Sequence, residues 1–437
     1  MLKIIFRYRK IKSLLIILLL SILPAVIYSQ EDSRYDSGMN LPFNRKAGNV
    51  NPQTGNVSAQ MTDIALPGRA GVNFTFSRMW SLNKSNAFNM YYDADNKQNR
   101  LDSNTLDKYY RLGIGWSSNI PFIREDASSG NTIITLFLGG NAYELDQTGL
   151  HTKNLNNSNI LGYDLNDIRV YYDKGISYEE FISPVTEESL DDIKSLTEYN
   201  SITDNNGETS KYLLLFKDNS KMWFRGDGQL MMYEDRTGLN KIWYFYEASE
   251  LNEINRLRLV VDSIGRKIDF SYTANDCISV ISYDVSIGVK EGESREYRVV
   301  TRQVRYDYYN ADDGGAYPLC ASVKGQVIDY KSPYLLKDVY DQGGNRTMYS
   351  YEEGEADFTF NNSTGILNNV YLMLNKETVY YDEVSGKCKY NRCFEYEVPV
   401  DGMYRRYFYK GFMEYYKVSR QYYINRHGEI LNDTYYD

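Results

Sequence analysis

The sequence is poor in the residues from which most enzyme sites are built. Only two histidines occur among 437 residues, His151 and His427, and no Gly-x-Ser-x-Gly motif accompanies either, which argues against a Ser-His-Asp nucleophile. Nothing in the sequence fixes the spacing of a carboxylate pair, and no phosphate-binding glycine loop is followed by lysine and a helix. The sequence therefore predicts a protein that is not an enzyme and that uses no cofactor.

Cysteine is also scarce. The chain has four, at Cys277, Cys320, Cys388 and Cys393. They lack the tight Cys-x2-Cys spacing of a zinc site, so zinc binding is not predicted. In an exported chain they could oxidise, and four cysteines allow three pairings that sequence does not choose between. The spacing of Cys388 and Cys393 is compatible with closing a hairpin.

Calcium ligands are the other metal possibility, and the sequence gives two weak candidates. These are Asp93 with Asp95, and Asp312 with Asp313. Gln98 stands where a helix-loop-helix calcium site needs glycine, so solvated loop residues are the simpler interpretation. No metal site is predicted.

Long hydrophobic runs are absent except at the N-terminus. Residues 14–28 are almost wholly apolar, but 15 residues fall short of the ~20 that a membrane-spanning helix needs. A basic stretch precedes this run, made of Lys3, Arg7, Arg9, Lys10 and Lys12. The pattern predicts a signal peptide over residues 1–29, with cleavage after Ser29, followed by a flexible lead over 30–46. An uncleaved anchor is the alternative, and either predicts export to the surface or the surroundings of a bacterium.

Positive charge is in deficit. Removing residues 1–29 takes five basic residues from the 49 present and changes the net charge from −9 to −14. An acidic surface repels nucleic acid and anionic lipid. Neither nucleic acid nor a membrane beyond the signal segment is therefore expected as a partner.

Tyrosine is abundant instead, at 43 residues, and it recurs in a fixed pattern. The pattern is Asp-x-x-Gly followed by alternating bulky residues that end in Tyr. Three copies occur, built on Asp235, Gly238 and Tyr246, on Asp262, Gly265 and Tyr272, and on Asp341, Gly344 and Tyr351. A weaker fourth copy has Asn425, Gly428, Leu431 and Tyr435. Asp and Gly favour a tight turn, and the period of two predicts a strand with one apolar face.

These repeats predict an all-β fold in which antiparallel hairpins form a curved sheet. We assign residues 47–210 to an N-terminal β region with inserts and residues 211–437 to the hairpin array. Within the first region Val72, Phe74 and Phe76 alternate as a strand. Residues 184–199 form one possible short helical insertion, because Leu190, Ile193 and Leu196 recur at helical spacing.

Three segments resemble the RHS or YD-repeat family of bacterial wall-associated and polymorphic-toxin shell proteins. Residues 51–80 resemble its N-terminal segment, in which Asn-Pro-x-Thr-Gly-Asn precedes Asp-x-x-Leu-Pro-Gly and an aromatic-Arg strand. Residues 112–123 resemble its Gly-x-Gly-Trp segment, and residues 228–246 resemble the repeat itself. The nine Tyr-Asp dipeptides of the chain fit the same family.

The resemblance implies a hollow β-shell that encloses a toxin or effector. Family members that close the shell carry an Asp-Pro-x-x-Gly-type segment tied to self-cleavage, whereas none of the nine prolines here follows Asp. We therefore expect the front part of a shell without cargo or protease.

Two functions from different classes follow from these observations. The first is a non-catalytic structural protein for surface display, adhesion or effector encapsulation, whose partner is a cognate shell or effector polypeptide. The second is a carbohydrate-binding module that stacks glycans on exposed Tyr and Trp rings. Tyr244, Tyr246, Tyr272, Tyr349 and Tyr351 are predicted to pack within the sheet, and they could stack on sugar rings instead only where their rings are exposed.

Overall fold

The structure is a computed structural model. It describes residues 49–50, 57–85, 88–93, 98–103, 109–128, 131–139, 141–146, 160–161, 167–172, 210–249, 254–291, 294–309, 320–323, 326–329, 335–360, 363–381, 386–397, 405–408, 411–414 and 416–436. The predicted helical insertion at 184–199, the predicted signal peptide, His151, Asp95 and the Asp312–Asp313 pair all lie outside these residues.

The described chain is almost entirely β-strand, which confirms the predicted all-β class. The strands are β1 (Asn49–Val50), β2 (Val57–Leu66), β3 (Phe74–Ser81), β4 (Phe88–Asp93), β5 (Gln98–Ser103), β6 (Trp116–Ser118), β7 (Phe122–Ser128), β8 (Asn131–Leu138), β9 (Asn141–Glu144), β10 (Ile168–Tyr172), β11 (Ser210–Phe216), β12 (Lys221–Arg225), β13 (Leu230–Glu234), β14 (Lys241–Glu247), β15 (Arg256–Val261), β16 (Lys267–Tyr272), β17 (Ile278–Glu291), β18 (Ser294–Tyr308), β19 (Cys320–Val323), β20 (Gln326–Asp329), β21 (Leu336–Tyr340), β22 (Arg346–Phe360), β23 (Ser363–Tyr380), β24 (Cys388–Glu397), β25 (Arg405–Phe408), β26 (Gly411–Glu414), β27 (Lys417–Asn425) and β28 (Ile430–Tyr435). Within the described ranges, the helical segments are two short 3-10 turns, Arg69–Gly71 and Leu82–Lys84.

Most strands belong to one long antiparallel sheet. Its 17 described strands run in chain order from β10 to β18 and then from β21 to β28, with β19 and β20 forming a separate hairpin. A second sheet has the order β1-β2-β3-β6, and smaller sheets are formed by β4-β5 and by β7-β8-β9. Most consecutive strands pair, many of them across short hairpin turns, but β24 also pairs with β27 and β26 with β22.

The four-stranded sheet packs on one face of the long sheet, and side chains from both form a single hydrophobic core. Phe74, Phe76 and Trp80 come from β3, and the ring of Phe76 meets Phe270 of β16 edge-on at 5.6 Å. Because side chains alternate along a strand, every second residue of β12, β14 and β16 enters this core. The predicted strand of Val72, Phe74 and Phe76 is buried here.

Each of the three full repeat motifs folds into a turn held by its aspartate. In the Asp262 turn, the Gly265 amide donates to the Asp262 carbonyl oxygen at 3.0 Å, with Gly265 at φ +89°. The Asp262 carboxylate also accepts the amides of Ile264 at 3.1 Å and Arg266 at 2.9 Å. The Asp341 turn repeats these bonds, and in the Asp235 turn the second amide is that of Asn240, one residue further on. Gly238 lies at φ +74° and Gly344 at φ +76°.

The fourth copy departs from the pattern at its strand. Asn425 caps its turn as the aspartates do, but Leu431 and Tyr435 are exposed rather than buried. A bulge in β28, where Asn432 adopts φ +50°, shifts the alternation by one residue. Tyr436, not Tyr435, consequently packs against the core.

The structure also excludes a disulfide between Cys388 and Cys393, the one pairing whose spacing was compatible with closing a hairpin. Both lie on the single strand β24. Five residues of strand separate their Cα atoms by ~17 Å, well beyond the reach of a disulfide. A spacing of five residues is compatible with a disulfide only where a turn lies between the two cysteines, and here the chain between them is extended strand.

Left-handed backbone at the repeat glycines yields a stability prediction. Gly344→Ala should destabilise the protein by about 1 kcal/mol, because φ +76° strains a residue with a Cβ even where nothing lies within 4 Å. Urea unfolding of the purified protein measures the change. Gly226→Ala is the matched control, since its surroundings are equally open and its φ is not positive. Equal effects at the two positions would contradict the strain argument.

Candidate functional site

The tyrosines that end the repeat strands fasten each strand to the one before it. Tyr351 on β22 donates its hydroxyl to the carbonyl oxygen of Leu336 on β21 at 2.8 Å. Where β22 pairs with the following strand, the register shifts at Tyr351, which faces Leu374 across a β-bulge. A buried tyrosine ring needs a partner for its hydroxyl, and the carbonyl supplies it.

The same arrangement occurs at five tyrosines along the described part of the long sheet, and we call it the tyrosine ladder. The bonds are Tyr246 to Leu230 (2.8 Å), Tyr272 to Leu257 (2.5 Å), Tyr308 to Ile278 (2.9 Å), Tyr351 to Leu336 (2.8 Å) and Tyr396 to Leu374 (2.6 Å). The residues opposite these tyrosines across their bulges are Leu257, Ile278, Leu336, Leu374 and Val418. Four of these five are therefore also the carbonyl acceptors of the next tyrosine, so successive bulges are coupled.

An ion pair on the four-stranded sheet connects that sheet to the ladder. Asp63 is the extra residue of a bulge in β2, and its carboxylate accepts the Arg78 Nε at 2.8 and 3.0 Å. Both side chains are almost fully buried, at 3% and 6% exposed. Two charges out of water need further partners, and the long sheet provides them.

Those partners are tyrosines of the repeat strands. Tyr306 on β18 donates to Asp63 Oδ2 at 2.8 Å, and Arg78 donates to the hydroxyl of Tyr349 on β22. Trp116 on β6 lies edge-on to Tyr349 at 4.8 Å, and its indole N–H donates to the Tyr351 hydroxyl at 2.8 Å. The hydroxyl of Tyr351 thus accepts from one sheet and donates within the other.

Two further contacts dock the N-terminal region onto repeat turns. The turn that begins at Asp262 holds the Pro67–Val72 loop: Arg266 donates to the Pro67 carbonyl at 2.6 Å, and Ser263 bridges Arg69 and Val72.

Arg111 makes the second contact, with the turn between β16 and β17. Its guanidinium is buried against Asp276 and donates to the Ile254 carbonyl at 2.6 Å. The Arg111 carbonyl accepts the Ile278 amide at 2.9 Å.

Burial sets the electrostatics of this interface. For Arg78, burial alone would lower the pKa, but the Asp63 carboxylate more than offsets it and the pKa is raised. Burial first, and then Asp63, raises the pKa of Tyr306 well above its usual value. Burial likewise raises the pKa of Tyr244, Tyr349 and Tyr396. The arginine therefore stays charged and the tyrosines stay neutral near neutral pH. In these states the groups form hydrogen bonds without releasing their protons.

The interface between the two sheets encloses a small cavity. The cavity between the sheets, lined by Arg111, Gln229 and Tyr272, has a volume of about 30 Å³, room for little more than one water molecule. His427 lies in an exposed turn beside Arg426. Among the described residues, no group of three or more His, Cys, Asp or Glu side chains could hold a metal ion. Within the same ranges, no helix has the length and hydropathy needed to span a bilayer.

The structure places the predicted repeat Asp and Gly residues in the turns and the repeat tyrosines in the tyrosine ladder. Tyr246 and Tyr351 are buried there and Tyr272 is half-buried. Sequence reasoning missed Tyr306, Tyr308 and Tyr396, which no Asp-x-x-Gly motif precedes. It also missed the pairing of Arg78 with Asp63. A signal was present, because the alternation of Phe74, Phe76 and Arg78 puts a charge on a buried face, where it needs a partner.

No family model matches the chain. No curated protein matches its sequence. The solved structures that are similar in part include two from bacterial toxins and effectors. The N-terminal domain of effector protein SpvB from Salmonella typhimurium is 9% identical with a TM-score of 0.24, over 84% of this chain and 99% of that one. The Photorhabdus luminescens Tc holotoxin pore is 11% identical with a TM-score of 0.20, over 87% of this chain, which spans only 20% of the toxin chain. At such low TM-scores neither likeness carries an argument about function.

The double role of the Tyr351 hydroxyl predicts unequal effects of two equivalent substitutions. Tyr351→Phe should cost about 3 kcal/mol, because it leaves both the Trp116 indole N–H and the Leu336 carbonyl without this partner. Tyr246→Phe removes one donor from the Leu230 carbonyl and should cost about 1 kcal/mol. Urea unfolding of both variants gives the comparison. Equal losses would mean that the hydroxyl of Tyr351 does not join the two sheets.

Stability should fall at alkaline pH. A tyrosine whose pKa is raised by folding holds its proton more tightly when folded, so its contribution is complete below about pH 10 and is lost as the pH rises towards the folded pKa. The urea midpoint should therefore decrease between about pH 9 and about pH 11 as tyrosinate absorbance appears with unfolding. Tyr244→Phe should lessen this decrease. A midpoint independent of pH over this range would contradict the assignment.

Proposed function

We propose that the chain is an exported, non-catalytic structural protein of the RHS or YD-repeat kind. Its hairpin array would form part of a β-shell for surface display, adhesion or encapsulation of an effector polypeptide. The observation that supports this most directly is the tyrosine ladder, in which the repeat tyrosines use ring and hydroxyl to fasten strands together. Because the tyrosine side chain packs and bonds within the sheet, each repeat extends the sheet. Further hairpins can be added in the same way.

The docking of the N-terminal region supports the same function. The Asp-x-x-Leu-Pro-Gly segment quoted for the family resemblance supplies Asp63 to the buried ion pair and Pro67 to the Asp262 turn. The Gly-x-Gly-Trp segment supplies Trp116 to Tyr351. The first two segments pair with each other through β3 and β6, and the Ile123 amide of the second donates to the Gly228 carbonyl of the third at 2.8 Å. Their shared role would be to close one face of the array with a second β-layer.

The carbohydrate-binding alternative would need exposed aromatic rings. Of the tyrosines first considered for stacking, Tyr244, Tyr246, Tyr349 and Tyr351 are buried, each at most 4% exposed. Among the described residues, Tyr381 at 46% and Tyr435 at 67% are the exposed large aromatics. A glycan site would have to use these two rings, which lie outside the ladder.

One set of measurements on the complete chain tests the proposal. Expressed in a bacterium, the protein should appear outside the cytoplasm with an N-terminus near residue 30. The purified mature protein should bind no glycan on a broad array. Cytoplasmic retention would contradict the export part of the proposal.

Two variants separate the structural role from glycan binding. If a glycan is bound, Tyr435→Ala should abolish binding while the melting temperature stays unchanged, because the ring is exposed and outside the ladder. That outcome would overturn the structural proposal in favour of the alternative. Leu239→Ala is the matched control, an 83% exposed turn residue with no aromatic ring.

A further inference from the structure

The small cavity between the two sheets has a polar lining that comes from both of them. Arg111 and Ser118, at the end of β6, face it from the N-terminal region. Gln229 and the ladder residues Tyr246 and Tyr272 face it from the long sheet. The volume of about 30 Å³ exceeds the roughly 10–15 Å³ that one water molecule needs. The cavity is therefore large enough and polar enough for a single small hydrogen-bonding ligand.

Gln229 gives the cavity a specific hydrogen-bond acceptor. The residue is buried, at 4% exposed, and its Nε2 donates to the Asn255 carbonyl oxygen at 2.6 Å. That bond identifies the other amide atom as the oxygen. No group among the described residues donates to this oxygen, although it too is buried. A buried amide oxygen that has lost its bonds to bulk water needs a replacement donor.

Other groups around the cavity complete the set that a buried water requires. The hydroxyls of Tyr246 and Tyr272 each donate to a backbone carbonyl of the preceding strand, at 2.8 and 2.5 Å, so each hydroxyl oxygen keeps a lone pair. Ser118 is 6% exposed, and its Oγ accepts the Ile120 amide at 3.4 Å, which leaves its proton for another acceptor. Buried waters make about three hydrogen bonds, and the cavity supplies acceptors and a donor for them.

We propose that the cavity binds one structural water molecule that joins the N-terminal region to the long sheet. The water donates one hydrogen to the Gln229 Oε1 and the other to a ladder hydroxyl, and it accepts the proton of the Ser118 hydroxyl. A bridging water of this kind forms hydrogen bonds nearly as favourable as direct ones. It would add a hydrated contact between the sheets to the direct contacts of Arg78 and Trp116.

A dry cavity is the competing arrangement. Phe76, Leu230 and Phe270 also line the space, and a cavity lined by apolar groups alone stays empty of water. The Gln229 amide oxygen favours the hydrated form, because a dry cavity would leave it buried and unbonded.

A high-resolution crystal structure of the complete chain tests the proposal. A water peak should lie about 2.7–3.2 Å from the Gln229 Oε1. Crystals pressurised with xenon should show no xenon in this cavity, because xenon occupies dry apolar cavities. The absence of the water peak, or xenon bound in its place, would overturn the proposal.

A matched pair of substitutions tests the role of Gln229 itself. Gln229→Met removes the amide oxygen but keeps the length of the side chain, so the water peak should disappear. Gln421→Met is the control, since Gln421 is 6% exposed, has an amide oxygen that likewise accepts from none of the described residues, and does not line the cavity. The peak should remain there. Persistence of the peak in Gln229→Met, or its loss in both variants, would contradict the assigned anchor.

Ser118→Ala is a smaller change that tests the donor from the other sheet. It should lower the occupancy of the water peak, because the water loses the hydroxyl proton it accepts. Unchanged occupancy in Ser118→Ala would mean that the water does not join the two sheets.

Discussion

The bond from a tyrosine hydroxyl to a carbonyl on the preceding strand is the constraint on which the rest of the sheet depends. A β-bulge locally disrupts strand pairing and increases the twist. The tyrosine ring packs over the bulge, and its hydroxyl donates a hydrogen bond to a carbonyl oxygen of the preceding strand. Leu257 shows how the rungs are linked, since it faces Tyr246 across one bulge and accepts from Tyr272 at the next. A slip of one residue in any strand would turn its tyrosine to the other face and break two rungs.

The buried ion pair makes the N-terminal sheet and the array dependent on one another. Arg78 and Asp63 neutralise each other's charge, but two charges out of water need more hydrogen bonds than one pair provides. Tyr306 and Tyr349 supply those bonds from strands more than 200 residues away in sequence. The N-terminal sheet is therefore stable in its observed form only against the array, which explains why segments so distant in sequence share one core.

The long sheet is packed on both of its faces, and the packing differs between them. One face is closed by the four-stranded sheet through the ladder and the ion pair. The opposite face carries a separate hydrophobic cluster that includes Trp223, Met232 and Phe245. Because this part of the sheet is packed on both faces, the turns and the outer strands, such as β28, are the elements that can contact other molecules.

The sequence by itself determined the local structure. Asp-x-x-Gly fixed the turns, because the carboxylate binds nearby amides and glycine accepts positive φ, and the period of two fixed the strands. Tertiary structure decided what local rules do not contain: which carbonyl each tyrosine meets, the partner of Arg78, and the separation of Cys388 from Cys393 along one strand. The bulge at Asn432 turned Tyr435 outward despite its matching motif. In each case the reason is physical, since register, bulges and buried charge depend on strands that are distant in sequence and close only in the folded sheet.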